Sequence, residues 1–340
     1  MGIIKIERKN ENPPARFFSR PFAYATVFSL FLAAVFTFTL LDTFVIPKAI
    51  RSVHKNDIPA LQNDSGQTPS TASLLKQKPD DNTPELWQTV DAEINAVTVP
   101  EITDTSYKDE NIEISIETVR VYDTDVYIAD IQISSINYLK TAFAQDTYGR
   151  NINEKTSTIA KEQDAIFAVN GDYYGFRNEG WVLRNGVLYC AGGDDSALLM
   201  DSDGKFSLNS DNNSIESQIQ SLWQIWSFGP ALIIDGEISV TKNQEISGRS
   251  SNSNPRTAIG QIGDLHYIFI VSDGRTRASA GLSLYELASL FRERGCTIAY
   301  NLDGGGSSTM YFSGSVVNKP TTRGNRISER EISDIVYIGY

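Results

Sequence analysis

The most informative stretch of this chain is Asn301-Leu302-Asp303-Gly304-Gly305-Gly306-Ser307-Ser308-Thr309. The apolar run from Thr297 to Leu302 predicts a strand that ends at the carboxylate of Asp303. Consecutive glycines let the backbone adopt positive φ and let a ligand approach the main chain closely, and their N–H groups can converge on an anion. A tight turn needs only one or two glycines. The run therefore favours a binding or catalytic turn over a simple connection.

On both sides of this stretch the hydrophobic pattern predicts many strands. Apolar and polar residues alternate from Ile112 to Val121 and from Val126 to Ser134, as in half-buried strands. Asn185-Gly186 lies at the centre of a hairpin from Trp181 to Tyr189, because this dipeptide is the preferred type I′ turn. A long apolar strand is predicted from His266 to Ser272.

Helices are few. The clearest runs from Leu284 to Arg294, where Ser283 and Glu286 form a capping box and Gly295 follows the end. A surface helix is predicted from Glu154 to Gln163. Since strands and helices do not alternate regularly, we expect an α+β fold with a mixed, mainly antiparallel sheet and a few packed helices, preceded by one transmembrane helix.

The N-terminal part differs in composition from the rest. Residues 22–41 carry no charge and are long enough, as a helix, to cross a hydrocarbon core of about 30 Å. We therefore predict a cytoplasmic basic tail (1–21), a transmembrane signal anchor (22–46), a flexible stalk (47–100) and a folded domain (101–340). The cations before the anchor predict a cytoplasmic N-terminus and an extracellular C-terminal domain.

The net charge is −12 and is unevenly distributed. Residues 1–55 carry eight basic and three acidic side chains, and residues 56–340 carry 22 basic and 39 acidic ones. An acidic body of this kind repels nucleic-acid phosphates, which argues against a nucleic-acid partner.

Cysteine and histidine are scarce. Cys190 and Cys296 form either one disulfide or two buried free thiols, and neither has metal-ligand spacing. His54 and His266 are the only histidines, which excludes a multi-histidine metal site within the chain.

Polar clusters follow apolar strands or flank turns at four places. Strand ends are where a rigid sheet presents side chains to a shared cleft, so together the clusters indicate a site, although each alone is compatible with turn chemistry. The clusters are Asn170–Gly175, Asn254–Ala258, Ser272–Arg275 and the glycine run 303–306.

Individual residues in these clusters have alternative roles. Asp172 is either an Asx-turn residue or a general base or metal ligand, with Tyr173 or Tyr174 as a stacking platform for a sugar. Arg256 leads into a buried strand and needs a partner, which is Asp273, Glu179 or a substrate phosphate.

Six motifs occur in the order seen in the phosphodiester glycosidase family, which this chain resembles over roughly residues 110–340. The motifs are Phe167-Ala168-Val169-Asn170-Gly171-Asp172-Tyr173-Tyr174, Arg184-Asn185-Gly186, Phe228-Gly229-Pro230-Ala231-Leu232, Asn254-Pro255-Arg256-Thr257-Ala258-Ile259-Gly260, Asp273-Gly274-Arg275 and Asn301 to Thr309.

The resemblance implies hydrolysis of a sugar-1-phosphodiester at the anomeric carbon, with a carboxylate for the oxocarbenium-like centre and cations and N–H donors for the departing phosphate. The partner expected is a sugar-phosphate or glycopolymer of the cell envelope, such as an exopolysaccharide. The predicted catalytic candidates are Asp303, Asp273, Asp172 and Glu179. The predicted substrate- or phosphate-binding residues are Arg256, Arg275, Asn170, Gly304, Gly305, Gly306, Ser307, Ser308, Tyr173 and Tyr174.

Two other functions stay open at the level of sequence. One is non-catalytic binding of a phosphate-containing surface polysaccharide. The other is a metal-dependent phosphodiesterase, in which Asp172, Asp273 and Asp303 hold Ca²⁺ or Mg²⁺ through oxygen ligands.

Overall fold

The computed structural model describes residues 21–50, 99–177, 180–193, 196–209, 214–242, 253–322 and 326–340. The chain divides into two compact units, 1–48 and 49–340. The first contains helix α1 (Pro21–Phe44), within which Tyr24–Phe44 is long and apolar enough to cross a membrane. The predicted stalk lies largely outside the described residues.

The other helices among the described residues are α2 (Thr156–Glu162), α3 (Ile215–Gln218) and α4 (Leu284–Glu293). The strands, in chain order, are β1 (Lys48–Ala49), β2 (Glu101–Ile102), β3 (Ser106–Lys108), β4 (Ile112–Val121), β5 (Thr124–Ile133), β6 (Leu139–Phe143), β7 (Gly149–Arg150), β8 (Glu154–Lys155), β9 (Phe167–Asn170), β10 (Val182–Arg184), β11 (Val187–Cys190), β12 (Leu198–Asp201), β13 (Phe206–Leu208), β14 (Leu222–Trp226), β15 (Ala231–Ile234), β16 (Glu237–Ile238), β17 (Arg256–Gly263), β18 (His266–Ser272), β19 (Ile298–Asn301), β20 (Met310–Phe312), β21 (Ser315–Val316), β22 (Thr321–Thr322), β23 (Arg326–Ile327), β24 (Glu331–Ile332) and β25 (Asp334–Ile338).

Three sheets carry most of these strands, and every pairing within them is antiparallel. The nine-stranded sheet has the order β16-β15-β19-β17-β18-β5-β4-β3-β2. One five-stranded sheet has the order β21-β20-β9-β25-β6, and the other has β11-β10-β14-β12-β13. The α+β fold with a mainly antiparallel sheet is therefore confirmed.

The nine-stranded sheet is covered on both faces. One face packs against the sheet that contains β9 and β25, through a core that includes Phe167, Val336, Phe269 and Tyr300. The opposite face is covered by α4. The side of the β9 sheet that faces away from the nine-stranded sheet is covered by α2. The result is a four-layer arrangement of helix, sheet, sheet and helix.

Local sequence explains the elements that the pattern predicted well. In β4, Ile112, Ile114 and Ile116 are buried while Glu113 and Ser115 are exposed, as the alternation requires. In the β10–β11 hairpin, Asn185 and Gly186 both have positive φ, of 48° and 79°, as a type I′ turn demands.

One expectation needs correction in detail, and the structure distinguishes between the two alternatives for the cysteines. The helix predicted from Glu154 begins at Thr156, because Glu154–Lys155 pairs as strand β8 with β24. Both cysteines are free thiols, so the disulfide alternative is not formed. Burial raises the pKa of Cys296 to about 12.

The cap of α4 gives a stability prediction. The Ser283 hydroxyl accepts a hydrogen bond from the Glu286 amide at 3.2 Å, and the Glu286 carboxylate accepts one from the Ser283 amide at 2.8 Å. We expect Ser283→Ala to lower the free energy of unfolding by about 1 kcal/mol, measured by urea denaturation of the purified chain. Ser283→Asp keeps an acceptor and should stay close to the wild type; equal losses in both variants would contradict the cap.

Candidate active site

Antiparallel pairing brings three of the four polar clusters to one edge of the nine-stranded sheet. Strand β17 begins at Arg256, and its partners β18 and β19 run in the opposite direction, so their last residues lie beside its first ones. Arg256 is paired with Ser272, and Ala258 is paired with Asn301. The segments that follow β18 and β19 therefore leave the sheet together.

The fourth cluster, at the end of β9, is joined to this edge by Asn170. The Asn170 amide nitrogen donates to the carbonyl of Asp303 at 2.6 Å. The amide oxygen accepts hydrogen bonds from the Thr257 hydroxyl at 2.8 Å and from the Thr309 amide at 3.3 Å. Asn170 is fully buried, and these bonds satisfy it within the protein. Its contacts fix the position of the glycine run.

Asp303 is held by three donors. Its Oδ2 accepts hydrogen bonds from the Ser307 hydroxyl at 2.5 Å and from Arg330 Nη2 at 2.9 Å, and its Oδ1 accepts one from the Gly304 amide at 2.9 Å. Arg330 Nε also donates to the Ser307 hydroxyl at 2.9 Å. Burial raises the pKa of Asp303, while Arg330 and the two hydrogen bonds from Ser307 and Gly304 act against the rise.

Asp303 faces a cavity of about 240 Å³. The cavity brings together the segment that follows β9, the segment that follows β19 and the segment before β25. Four of the predicted site residues line it, namely Asp172, Tyr173, Asp303 and Ser307. The remaining lining residues are Phe176, Arg330, Glu331, Ile332 and Ser333.

An aromatic pair forms one side of this cavity. The rings of Tyr173 and Phe176 are stacked with centroids 4.6 Å apart and an interplanar angle of 17°. Phe176 is 44% exposed. Tyr174, the other predicted platform residue, is buried and donates its hydroxyl hydrogen to the Ser333 carbonyl at 3.1 Å. The exposed aromatic surface is therefore provided by Phe176 and Tyr173.

Asp172 belongs to a buried ion cluster behind the cavity wall. Arg184 Nη2 lies 3.0 Å from Asp172 Oδ2, and Arg184 Nε donates to Asp334 Oδ2 at 2.8 Å. All three side chains are almost fully buried. Burial alone would lower the pKa of Arg184, but the two carboxylates raise it. Burial raises the pKa of Asp334 to about 7, against the opposing effect of Arg184.

Asp172 also shapes the chain around the cavity. Its Oδ1 accepts a hydrogen bond from the Tyr174 amide at 3.0 Å, which is the Asx turn considered from the sequence, and its Oδ2 accepts one from the Ser227 amide at 3.2 Å. The Asp172 carboxylate thus has partners within the protein on both oxygens, and its cation Arg184 is buried.

Asp273 and the two predicted arginines lie near the glycine run but outside the cavity lining. Asp273 accepts hydrogen bonds from the Lys319 amide at 2.8 Å and from the Tyr127 hydroxyl at 3.3 Å, and burial raises its pKa. Arg256 is buried and donates to the Leu282 carbonyl at 2.9 Å; burial and then the neighbouring Arg275 lower its pKa to about 10. Arg275 packs against Gly305.

The N–H groups of the glycine run, which were predicted to bind an anion, have acceptors within the protein. The Gly304 amide donates to Asp303 and the Gly305 amide donates to the Pro255 carbonyl at 2.8 Å, so these N–H groups bind protein acceptors.

Within the described ranges no three Asp, Glu, His or Cys side chains are grouped to hold a metal ion, which leaves the proposed Ca²⁺ or Mg²⁺ site without a ligand set there. Ser308 is buried, and Glu179 lies outside the described residues.

Sequence reasoning missed the cation of the site, Arg330. It lies in a run of charged residues, 329–331, that is typical of a solvated loop, so no local signal marks it. Arg184 occurs in the Arg184-Asn185-Gly186 motif, which by itself does not mark it as part of the site. A stronger signal was available for it, because a lone cation that ends the apolar run Trp181–Leu183 requires a buried partner.

A sequence model of the family described as phosphodiester glycosidase matches residues 163–339. This range is more than half of the 340 residues. The chain therefore belongs to the phosphodiester glycosidase family. The matched range contains Asp172, Asp303 and Arg330.

Two known proteins align with parts of the chain. The SPbeta prophage-derived uncharacterized protein YomE of Bacillus subtilis (strain 168) is 30% identical over 206 residues, 57% of this chain and 31% of that protein. The N-acetylglucosamine-1-phosphodiester alpha-N-acetylglucosaminidase of Mus musculus is 31% identical over 101 residues, 26% of this chain and 19% of the enzyme. The chain thus spans less than a third of the length of either relative.

A solved structure supports the fold. The catalytic domain of zebrafish N-acetylglucosamine-1-phosphodiester alpha-N-acetylglucosaminidase, auto-inhibited by its pro-peptide, superimposes with a TM-score of 0.55. The match covers 67% of this chain and 83% of that chain at 21% sequence identity.

The buried ion cluster gives a second stability prediction. We expect Arg184→Met to lower the free energy of unfolding by about 3–5 kcal/mol at pH 7, because Asp172 and Asp334 are then buried without their cation. Arg292→Met, at an exposed position on α4, is the matched control and should change stability by less than about 0.5 kcal/mol. Similar losses in both variants, measured by urea denaturation, would contradict the cluster.

Proposed function

We propose that this protein hydrolyses a sugar-1-phosphodiester, breaking the bond between the anomeric carbon and a phosphate oxygen. The observation that carries the proposal is the partly buried carboxylate of Asp303, held by Arg330 and Ser307 at a cavity that has an aromatic side. Family membership and the name of the mouse relative, a sugar-1-phosphodiester glycosidase, support the substrate class.

The chemistry fits the charges of the site. As the anomeric C–O bond breaks, its electron pair stays on the phosphate oxygen and positive charge develops on the sugar ring. Asp303, as a carboxylate, stabilises that positive charge. Arg330, whose side chain is 40% exposed, stabilises the negative phosphate. Water adds to the anomeric carbon, and the products are a free sugar, a phosphate monoester and one proton.

Other residues near Asp303 have further roles in this reaction. Phe176 and Tyr173 offer an apolar face on which a sugar ring can stack. A phosphate monoester is a good leaving group, so strong general-acid help is less necessary than for an ordinary glycoside. Asp172 and Asp273, whose oxygens have protein partners, support the walls of the site in this scheme.

We further propose that α1 anchors the protein in the cell membrane with its N-terminus in the cytoplasm. In this arrangement residues 47–100 are the stalk and residues 101–340 are the extracellular catalytic domain. The substrate is then a glycopolymer of the cell envelope, such as a phosphate-containing exopolysaccharide. The length and composition of α1 and the basic residues before it support this proposal.

The role of Asp303 is tested by Asp303→Asn. We expect kcat/KM on a sugar-1-phosphodiester to fall by about 10³-fold or more, because the amide cannot supply negative charge to the oxocarbenium-like centre. Asp130→Asn removes a half-exposed carboxylate on β5 and serves as the matched control with unchanged activity. Equal rates for both variants would exclude Asp303 as the catalytic carboxylate.

Isotope labelling separates the proposal from a phosphodiesterase. With water labelled with oxygen-18, cleavage at the anomeric carbon places the label in the sugar, and cleavage at phosphorus places it in the phosphate. A labelled phosphate would overturn the proposal. Binding without turnover would favour a non-catalytic surface module.

The pH dependence is tested with Arg330→Gln. Asp303 acts as a carboxylate, so activity is lost as the pH falls through its pKa, and burial places that acidic limb above the usual range for aspartate. Arg330 lowers the pKa of Asp303, so its removal should move the acidic limb of kcat/KM to higher pH. A limb that stays in place, or moves to lower pH, would contradict this pairing.

A further inference from the structure

The segment that carries Arg330 is attached to the protein on two sides. We call residues 326–333 the arginine arm. Its Arg330 side chain reaches the glycine run, and the Arg330 amide donates to the Gly306 carbonyl at 3.3 Å. On the other side, Glu331 and Ile332 of β24 pair with Lys155 and Glu154 of β8, directly before α2. The arm is therefore a bridge between α2 and the candidate site.

Glu329 makes the side-chain connection to α2. Its Oε1 accepts a hydrogen bond from the Ser157 amide at 3.0 Å, and its Oε2 accepts one from the Ser157 hydroxyl at 2.6 Å. Ser157 lies in the first turn of α2, whose amides have no partners within the helix. In the part of the chain that the structure describes, Lys155 at the N-cap makes no side-chain capping bond. Glu329 supplies the missing acceptor from a distant part of the sequence.

This connection matters because Arg330 is a long side chain and is 40% exposed. An exposed ion pair is weak, since holding two side chains in one geometry costs conformational entropy. The cost is smaller when the backbone of one partner is already fixed. Glu329 is adjacent to Arg330 in the chain, so its two bonds to Ser157 fix the backbone from which the Arg330 guanidinium extends.

We propose that Glu329 is a positioning residue of this site, which holds the arginine arm on α2 so that Arg330 stays against Asp303. The inference rests on the proposed function, in which Asp303 stabilises the positive charge on the sugar and Arg330 stabilises the phosphate. Glu329 itself lies outside the cavity lining. It acts through Arg330, and its effect is therefore on the charge environment of Asp303.

Asp303 also has other charged groups near it, of which Glu331 belongs to the arginine arm itself. Asp172 and Glu331 line the same cavity, and Asp172 is compensated by Arg184. Arg275 packs against Gly305 from the other side of the glycine run. Among these groups Arg330 is the cation in contact with Asp303, so displacement of the arm has a specific electrostatic consequence.

The test compares the pH profiles of kcat/KM for the wild-type chain, Glu329→Ala, Glu329→Gln and Arg330→Gln. We expect Glu329→Ala to move the acidic limb to higher pH, in the same direction as Arg330→Gln and by a smaller amount, and to lower kcat by about tenfold. Glu329→Gln keeps an oxygen that accepts from the Ser157 amide and should restore most of the wild-type profile.

A matched control separates positioning from loss of stability. Ser283→Ala removes the cap of α4, far from the arm in sequence, and should cost similar stability without moving the acidic limb. If Glu329→Ala leaves the limb at the wild-type position while Arg330→Gln moves it, the inference is wrong and the proposed function stands. If Asp303→Asn is fully active, the proposed function fails instead.

A measurement without substrate tests the same inference independently. The Asp303 carboxyl can be titrated by NMR in the full chain labelled with ¹³C-aspartate, and Asp303→Asn identifies its signal. We expect both Arg330→Gln and Glu329→Ala to raise the observed pKa. An unchanged pKa in Glu329→Ala would overturn the inference even if no substrate is turned over.

Discussion

One buried amide, that of Asn170, holds together the two sheets at the end of the molecule where the site forms. Its oxygen accepts a hydrogen bond from Thr257 on the nine-stranded sheet, and its nitrogen donates one to the Asp303 carbonyl. Its own backbone belongs to the five-stranded sheet that contains β9 and β25. A buried amide is costly unless donors and acceptors are arranged around it. The position of the Asp303 carboxylate relative to the cavity follows from this arrangement, because the glycine run begins at the residue that Asn170 holds.

Two of the carboxylates that line the cavity, those of Asp172 and Asp303, differ in how their charge is compensated. Asp172 is paired with Arg184 and accepts two backbone hydrogen bonds, and Arg184 also binds Asp334, which closes the ion cluster within the protein. Asp303 is paired with Arg330, a half-exposed cation at the cavity. A closed cluster favours rigidity, whereas an open pair can exchange its contacts with a charged ligand. The geometry therefore favours Asp303 over Asp172 as the reacting carboxylate.

Much of the fold could be predicted from local patterns. The alternation in β4, the Asn185-Gly186 turn and the capping box at Ser283 each involve neighbours within a few residues, and each is present in the structure. The helix predicted from Glu154 was less accurate at its start, because β24 pairs with residues that have helical propensity. Tertiary pairing overrode a weak local preference there. The α+β class followed from the same local signals.

The sequence by itself determined which polar residues follow strands, and so it identified Asp303, Asp172, Tyr173 and Ser307 as candidates that share one cavity. Only the tertiary structure decided which charges compensate each other. Arg330 meets Asp303 across 27 residues and Arg184 meets Asp334 across 150, and no local pattern encodes such pairs. The physical reason is that ion pairing depends on distance and burial in the folded chain, whereas sequence periodicity reports only on which face of an element a residue lies.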